Sequence, residues 1–243
     1  MLSTRILLLI MLATALQSCH AQFPPQGWSN LAETDYKGPV RMVVKMHYPA
    51  IHHTDTGWVP DAPGKPSYTT WTYYNAAGLL DSIITRVPLK DPTDTLTMRA
   101  IAAFDGQGAR NGTQSYYRGK PTSTCRITWL DAHNYVDTFT TPTGELDQVM
   151  QVTLADDFFQ TSIRCIVAGP DQSDVTDSMV RDAAGYTTHT SSRDALSGDV
   201  HTTSYQYARF DAYRNPLETL VIRDGGTVPQ GLVRREMLYW PEH

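Results

Sequence analysis

From about residue 36 onward, apolar residues recur in short alternating runs separated by clusters of Gly, Pro, Asn, Asp and Ser. A period of two puts successive side chains on opposite faces of an extended chain, so such runs predict half-buried strands. The clearest cover residues 40–48, 68–74, 79–86, 124–130, 135–141, 205–210, 217–223 and 232–240. No stretch of ten residues carries the 3.6-residue spacing of an amphipathic helix. Thirty threonines and 13 tyrosines reinforce the strand reading. Trp71 and Tyr73 fall on one parity while Tyr74 and Phe104 fall on the other. Apolar residues on both faces suit a sheet that curves or rolls up around its concave side.

The turns between runs resemble one another. Tyr74-Asn75-Ala76-Ala77-Gly78 aligns with Phe104-Asp105-Gly106-Gln107-Gly108, with Leu130-Asp131-Ala132-His133-Asn134 and with Arg181-Asp182-Ala183-Ala184-Gly185. Phe210 to Asn215 has the same form with one extra residue, and residues 154–158 fill the remaining slot without either diagnostic residue. Positions 75, 105, 131, 155, 182 and 211 are separated by 30, 26, 24, 27 and 29 residues. Asn75, Asp105, Asp131, Asp182 and Asp211 can each accept a backbone N–H two residues on. Gly78, Gly108, Asn134, Gly185 and Asn215 tolerate the positive φ that closes such a turn into a bulged hairpin. Each unit is therefore a β-hairpin. The expected fold is all-β, an antiparallel meander of repeated hairpins forming a curved sheet or open barrel.

An aromatic residue, Asp, two residues, Gly and then a strand resembles the YD or RHS repeat. The stretch Tyr205-Gln206-Tyr207-Ala208-Arg209-Phe210-Asp211 is closest to short exported bacterial lipoproteins built from such units. The resemblance extends over roughly residues 66–240. It implies a repeat scaffold, with far too few units to wrap the closed shell of the large RHS proteins.

The first 18 residues read as an export signal, with Arg5 as the n-region and an uncharged run at 6–16. Eleven residues are too few for a membrane-spanning helix, which needs about 20. Leu16-Gln17-Ser18-Cys19 resembles a bacterial lipobox, which implies lipidation of Cys19 and anchoring of the protein to the membrane by its N-terminal lipid. Cleavage after Ala21, giving a secreted or periplasmic protein, is the alternative. Residues 19–35 are expected to be the attachment site and a tether, and 36–243 a single β-repeat domain in the bacterial cell envelope.

Composition narrows the partners. Lys and Arg total 20 against 25 Asp and Glu, a net charge of −5. Nucleic-acid binding, which normally needs a basic excess, is excluded as a first expectation. Cys125 and Cys165 would lie three strand steps apart in a meander, roughly 14 Å, too far for a disulfide.

Candidate chemistry is sparse. His47, His52 and His53 with Asp55 form the densest ligand-type cluster, but their spacing matches no zinc signature and a polar loop explains them. Asp156, Asp157, Asp174 and Asp177 could suggest paired carboxylates, although turn chemistry accounts for the first two. No nucleophile elbow or dinucleotide fingerprint is present. No catalytic, metal-binding or cofactor-binding residues are therefore expected. The functional expectation is a non-catalytic envelope lipoprotein acting as a binding or structural module with a glycan or protein partner. The alternatives are a carbohydrate-binding protein that uses loop 49–66, with His52, His53 and Trp58 as candidate ligand residues, and, behind it, an envelope hydrolase.

Overall fold

The repeat turn sets the architecture. Asn75 Oδ1 accepts from the N–H groups of Ala77 and Leu79, both at 3.0 Å, and the turn closes through Asn75 N–H to Leu79 O and Gly78 N–H to Asn75 O. Asp105 and Asp182 hold their loops through the same four bonds. Five of the six repeat turns leave the fourth loop residue with positive φ: Gly78, Gly108, Gly185, Phe158 and Arg214; Asn134 of the 131 turn does not take that conformation.

Two turns differ from their sequence alignment. Arg214 takes the left-handed position of the 211 turn, so this turn has no extra residue, and Asn215 is the fully buried residue that follows. At 131 the closing bond shifts by one residue, Leu130 N–H to Asn134 O, and Asn134 instead clamps the Asp131 carboxylate through its amide.

The computed structural model describes residues 24–34, 36–89, 95–169 and 172–241. The export signal and Cys19 lie outside the described residues. Sixteen strands run in chain order: β1 (Val40–Tyr48), β2 (Ile51–Thr54), β3 (Gly57–Pro60), β4 (Tyr68–Tyr74), β5 (Leu80–Pro88), β6 (Thr95–Phe104), β7 (Arg110–Tyr117) and β8 (Lys120–Trp129). They continue as β9 (Asn134–Thr140), β10 (Leu146–Leu154), β11 (Gln160–Val167), β12 (Ser173–Arg181), β13 (Thr187–Asp194), β14 (Val200–Phe210), β15 (Pro216–Arg223) and β16 (Gly231–Tyr239).

The meander from β4 to β16 is antiparallel throughout, and β1 joins its two ends by pairing with β16 and β4. The result is a closed barrel of 14 strands. The remaining hairpin, β2–β3, folds onto its outer face, where Ile51 and Trp58 pack on Tyr48, Leu220 and Leu232. Cys125 on β8 and Cys165 on β11 are both free, with β9 and β10 between them.

The six repeat turns gather at one rim, and the segment before β1 packs into that end. Residues 24–34 are therefore a plug, where the sequence suggested a tether. Trp28 is 7% exposed and meets Trp129 edge-on at 5.2 Å, in a cluster with Ile127, Tyr135, Val152 and Leu154. Asn30 Oδ1 accepts from Leu80 N–H at 2.9 Å, and Leu31 N–H donates to Gly78 O. Farther along, Asn215 brackets the Lys37 peptide, accepting from its N–H and donating to its O at 2.7 Å. The chain ahead of β1 thus ties the 75 turn, through the plug, to the 211 turn, through Lys37.

Candidate functional site

Register decides which side chains enter the lumen. Cys125, Ile127 and Trp129 face the plug cluster, and their partners Phe139, Asp137 and Tyr135 share that face. Carried from pair to pair around the ring, the same parity brings Lys45, His47, Thr203, Tyr205, Val221, Arg223, Val233 and Arg235 inward, where they line a cavity of about 420 Å³. A barrel of this strand number is too wide for side chains alone to fill. Toward the rim opposite the plug the lining becomes exposed, as at Met98, Tyr117, His201 and Arg223.

The cavity wall is basic and rich in hydroxyls. Lys45, Arg223 and Arg235 all contribute to it, and no Asp or Glu does. Among the described residues none of the three forms an ion pair with a carboxylate. Arg235 is held by Nη1 donating to Thr219 Oγ1 at 2.6 Å and to Pro216 O at 3.4 Å, which leaves its buried Nε without a partner. His47 stacks on Tyr68 at 5.0 Å, with Nδ1 2.9 Å from Ser67 Oγ. Burial, with the nearby charges of Arg223 and Lys45, holds its imidazole below the ordinary value and so favours the neutral ring.

A second polar group sits deeper, between plug and wall. Trp28 Nε1 donates to Glu33 at 2.6 Å, and burial pushes the Glu33 carboxyl up to about 7 despite this bond and the nearby Arg110 charge. Across the lumen face, burial raises Asp137 to about 6 and Cys125 to about 12. Arg110 Nη2 donates to Thr113 at 2.9 Å, while Arg110 Nε and Asp137 Oδ1 are buried without hydrogen bonds. A cavity of about 160 Å³ reaches from Glu33 to Lys45 and Arg235.

The candidates named from sequence are scattered. His47 is in the lumen, whereas His52 pairs with Asp61 at 2.7 Å and His53 meets Trp58 edge-on at 5.2 Å on the outer hairpin. Among the described residues no group of three His, Cys, Asp or Glu could hold a metal ion. Trp58 is half-buried against the barrel, so it presents no free aromatic platform. Asp157 pairs with Arg181 and Asp174 with Arg164, while Asp177 points into the lumen. The residues of the basic wall were not singled out from sequence. The signal for them was the alternation Lys45-x-His47 and Val233-x-Arg235, which reads equally well as a solvated outer face until closure assigns it inward.

The outward parity is mostly polar in mid-strand over β6 to β14, whereas Val44, Met46, Trp71, Ile84 and Leu220 stand outward on β1, β4, β5 and β15. Arg99, Arg126, Gln151, Arg164 and Glu236 are exposed in mid-strand and Arg193 near the end of β13, accompanied by threonines and serines. A membrane-spanning barrel instead carries an apolar lipid-facing band about 25 Å tall.

No family model and no curated protein matches the chain. Among solved structures it is similar to a porin-like protein from Bacteroides uniformis, at 10% identity and a TM-score of 0.43, over 84% of this chain and 98% of that one.

Proposed function

We propose that this protein is a non-catalytic, lipid-anchored component of the bacterial cell envelope that holds a small ligand in the lumen of its barrel. The observation that carries the reading is a wall closed sideways, plugged at one rim and lined inside by half-exposed hydroxyl and cationic groups. Pockets for small molecules combine an apolar surface with a few fixed polar groups, as Val221 and Val233 do beside Tyr205 and Arg235. The barrel mouth is a common place for such a pocket. The export signal and Cys19 support the envelope address, and the YD-like turns support a repeat origin for the scaffold. The outer hairpin is a poorer ligand site because its tryptophan is used in packing.

A thermal-shift screen of the mature protein against small envelope metabolites, both charged and neutral, tests the reading. At least one ligand should raise the melting temperature saturably, and Thr203→Trp, which fills the lumen from β14, should abolish that shift. A ligand bound equally well by the filled variant would place binding elsewhere. In cells, Cys19→Ser should move the protein out of the membrane fraction.

A further inference from the structure

We infer that the lumen is built for a small organic anion, recognised through carboxylate or phosphate oxygens by Lys45, Arg223 and Arg235. The inference rests on the ligand-holding reading above and adds the charge of the ligand. Lys45 and Arg235 are directly paired across β1 and β16, so their side chains leave the wall side by side on the lumen face. Arg223 lies on the neighbouring strand, two residues beyond the Val221–Gly231 pair and nearer the mouth. The three therefore form a cationic track from the mouth inward.

The chain as a whole carries a net charge of −5, yet this cavity holds three cations and no acid. Like charges gathered in a concave wall repel one another and focus a positive potential, which an oxyanion relieves. Arg235 is already oriented by Thr219 and Pro216, so little side-chain freedom is lost when its guanidinium meets an acceptor. Tyr205 adds a hydroxyl, and Val221 and Val233 offer apolar surface for a carbon body. The lumen-facing carboxylates do not line the larger cavity: Asp137, Asp177 and Asp194 belong to β9, β12 and β13, and Glu33 meets Lys45 and Arg235 only in the smaller cavity beneath it. A metal cation would find the wrong charge on this wall.

Calorimetry on the mature full-length protein at constant ionic strength tests the inference, with citrate, inorganic pyrophosphate and inorganic phosphate as probes and maltotriose as neutral control. At least one oxyanion should bind saturably, and Arg223→Gln and Lys45→Gln should each weaken it about tenfold or more. Among the described residues the Arg223 side chain makes no hydrogen bond or ion pair, so an unchanged melting temperature without ligand should confirm that its variant folds. Arg193→Gln, which removes an exposed cation from the outer wall, should leave the affinity unchanged. Oxyanion binding that is indifferent to Arg223→Gln and Lys45→Gln, or that falls equally with Arg193→Gln, would overturn the inference. Binding of maltotriose with no oxyanion bound would overturn it while leaving a ligand-holding lumen. Binding of none of the probes would remove the inference, and a screen equally empty would remove the broader reading with it.

Discussion

At the residue scale the fold depends, in most of the repeat loops, on a side-chain oxygen two positions before an N–H and on one residue in the left-handed region. The second requirement is not uniform in cost. Gly185 has φ of +88° and open space where a Cβ would sit, whereas Gly78, at +75°, would place that atom 3.1 Å from Leu31 and 3.3 Å from Ser29 of the plug. Gly185→Val should therefore carry only the left-handed backbone strain, about 1–2 kcal/mol. Gly78→Val adds an overpacking penalty of about 1–3 kcal/mol, because Leu31 is tied to this turn by its own N–H. Ala76→Val, outside the left-handed position, should cost least. Urea melts of the three variants rank them directly. Equal losses at positions 78 and 185 would mean that the plug does not bear on the turn.

At the element scale the hairpins were legible in the sequence because their determinants are local. An Asx turn and a period-two run lie within 20 residues of each other, and 40–48 and 68–74 have the same bounds in the structure. The plug was hidden because a Trp in a Pro- and Gly-bearing segment has no periodicity, and its partners Trp129, Gly78 and Leu80 are far away in sequence. The plug also carries the clearest pH dependence. Glu33 titrates near its ordinary value of 4.5 in the unfolded chain and at about 7 when packed beneath Trp28 and Asn30. The packed carboxyl keeps its proton longer, so its contribution to stability is intact below about pH 4.5, is lost as pH rises to 7, and changes no further above that. The loss amounts to at most about 3 kcal/mol. Asp137, raised to about 6, acts with the same sign and leaves a smaller slope behind. Glu33→Gln retains an acceptor for Trp28 Nε1 and should flatten most of the decline between pH 5 and 7 in thermal melts. A variant with the wild-type slope would assign the pH dependence to other groups.

At the scale of the whole molecule, closure turns an ambiguous alternation into an inside and an outside. Local sequence could not supply that step, because β1 pairs with β4 and β16, elements at the two ends of the meander, and both parities mix polar with apolar residues. Once assigned, the outer parity argues about the membrane more strongly than strand number does. A charged residue on a lipid-facing strand costs roughly 2–4 kcal/mol near the bilayer centre. Arg99, Arg126 and Arg164 stand outward in mid-strand, and of these Arg164 pairs with Asp174 at 2.7 Å. Embedding this wall would add several such penalties with no continuous apolar band to offset them. A lipid on Cys19, as proposed above, would attach the protein through the chain that precedes the plug. It follows that Cys19→Ser protein should purify without detergent as a monodisperse species and should be removed from membranes by alkaline carbonate, whereas the wild type should resist that extraction. Retention of the Cys19→Ser protein in carbonate-washed membranes would overturn attachment through a lipid on Cys19.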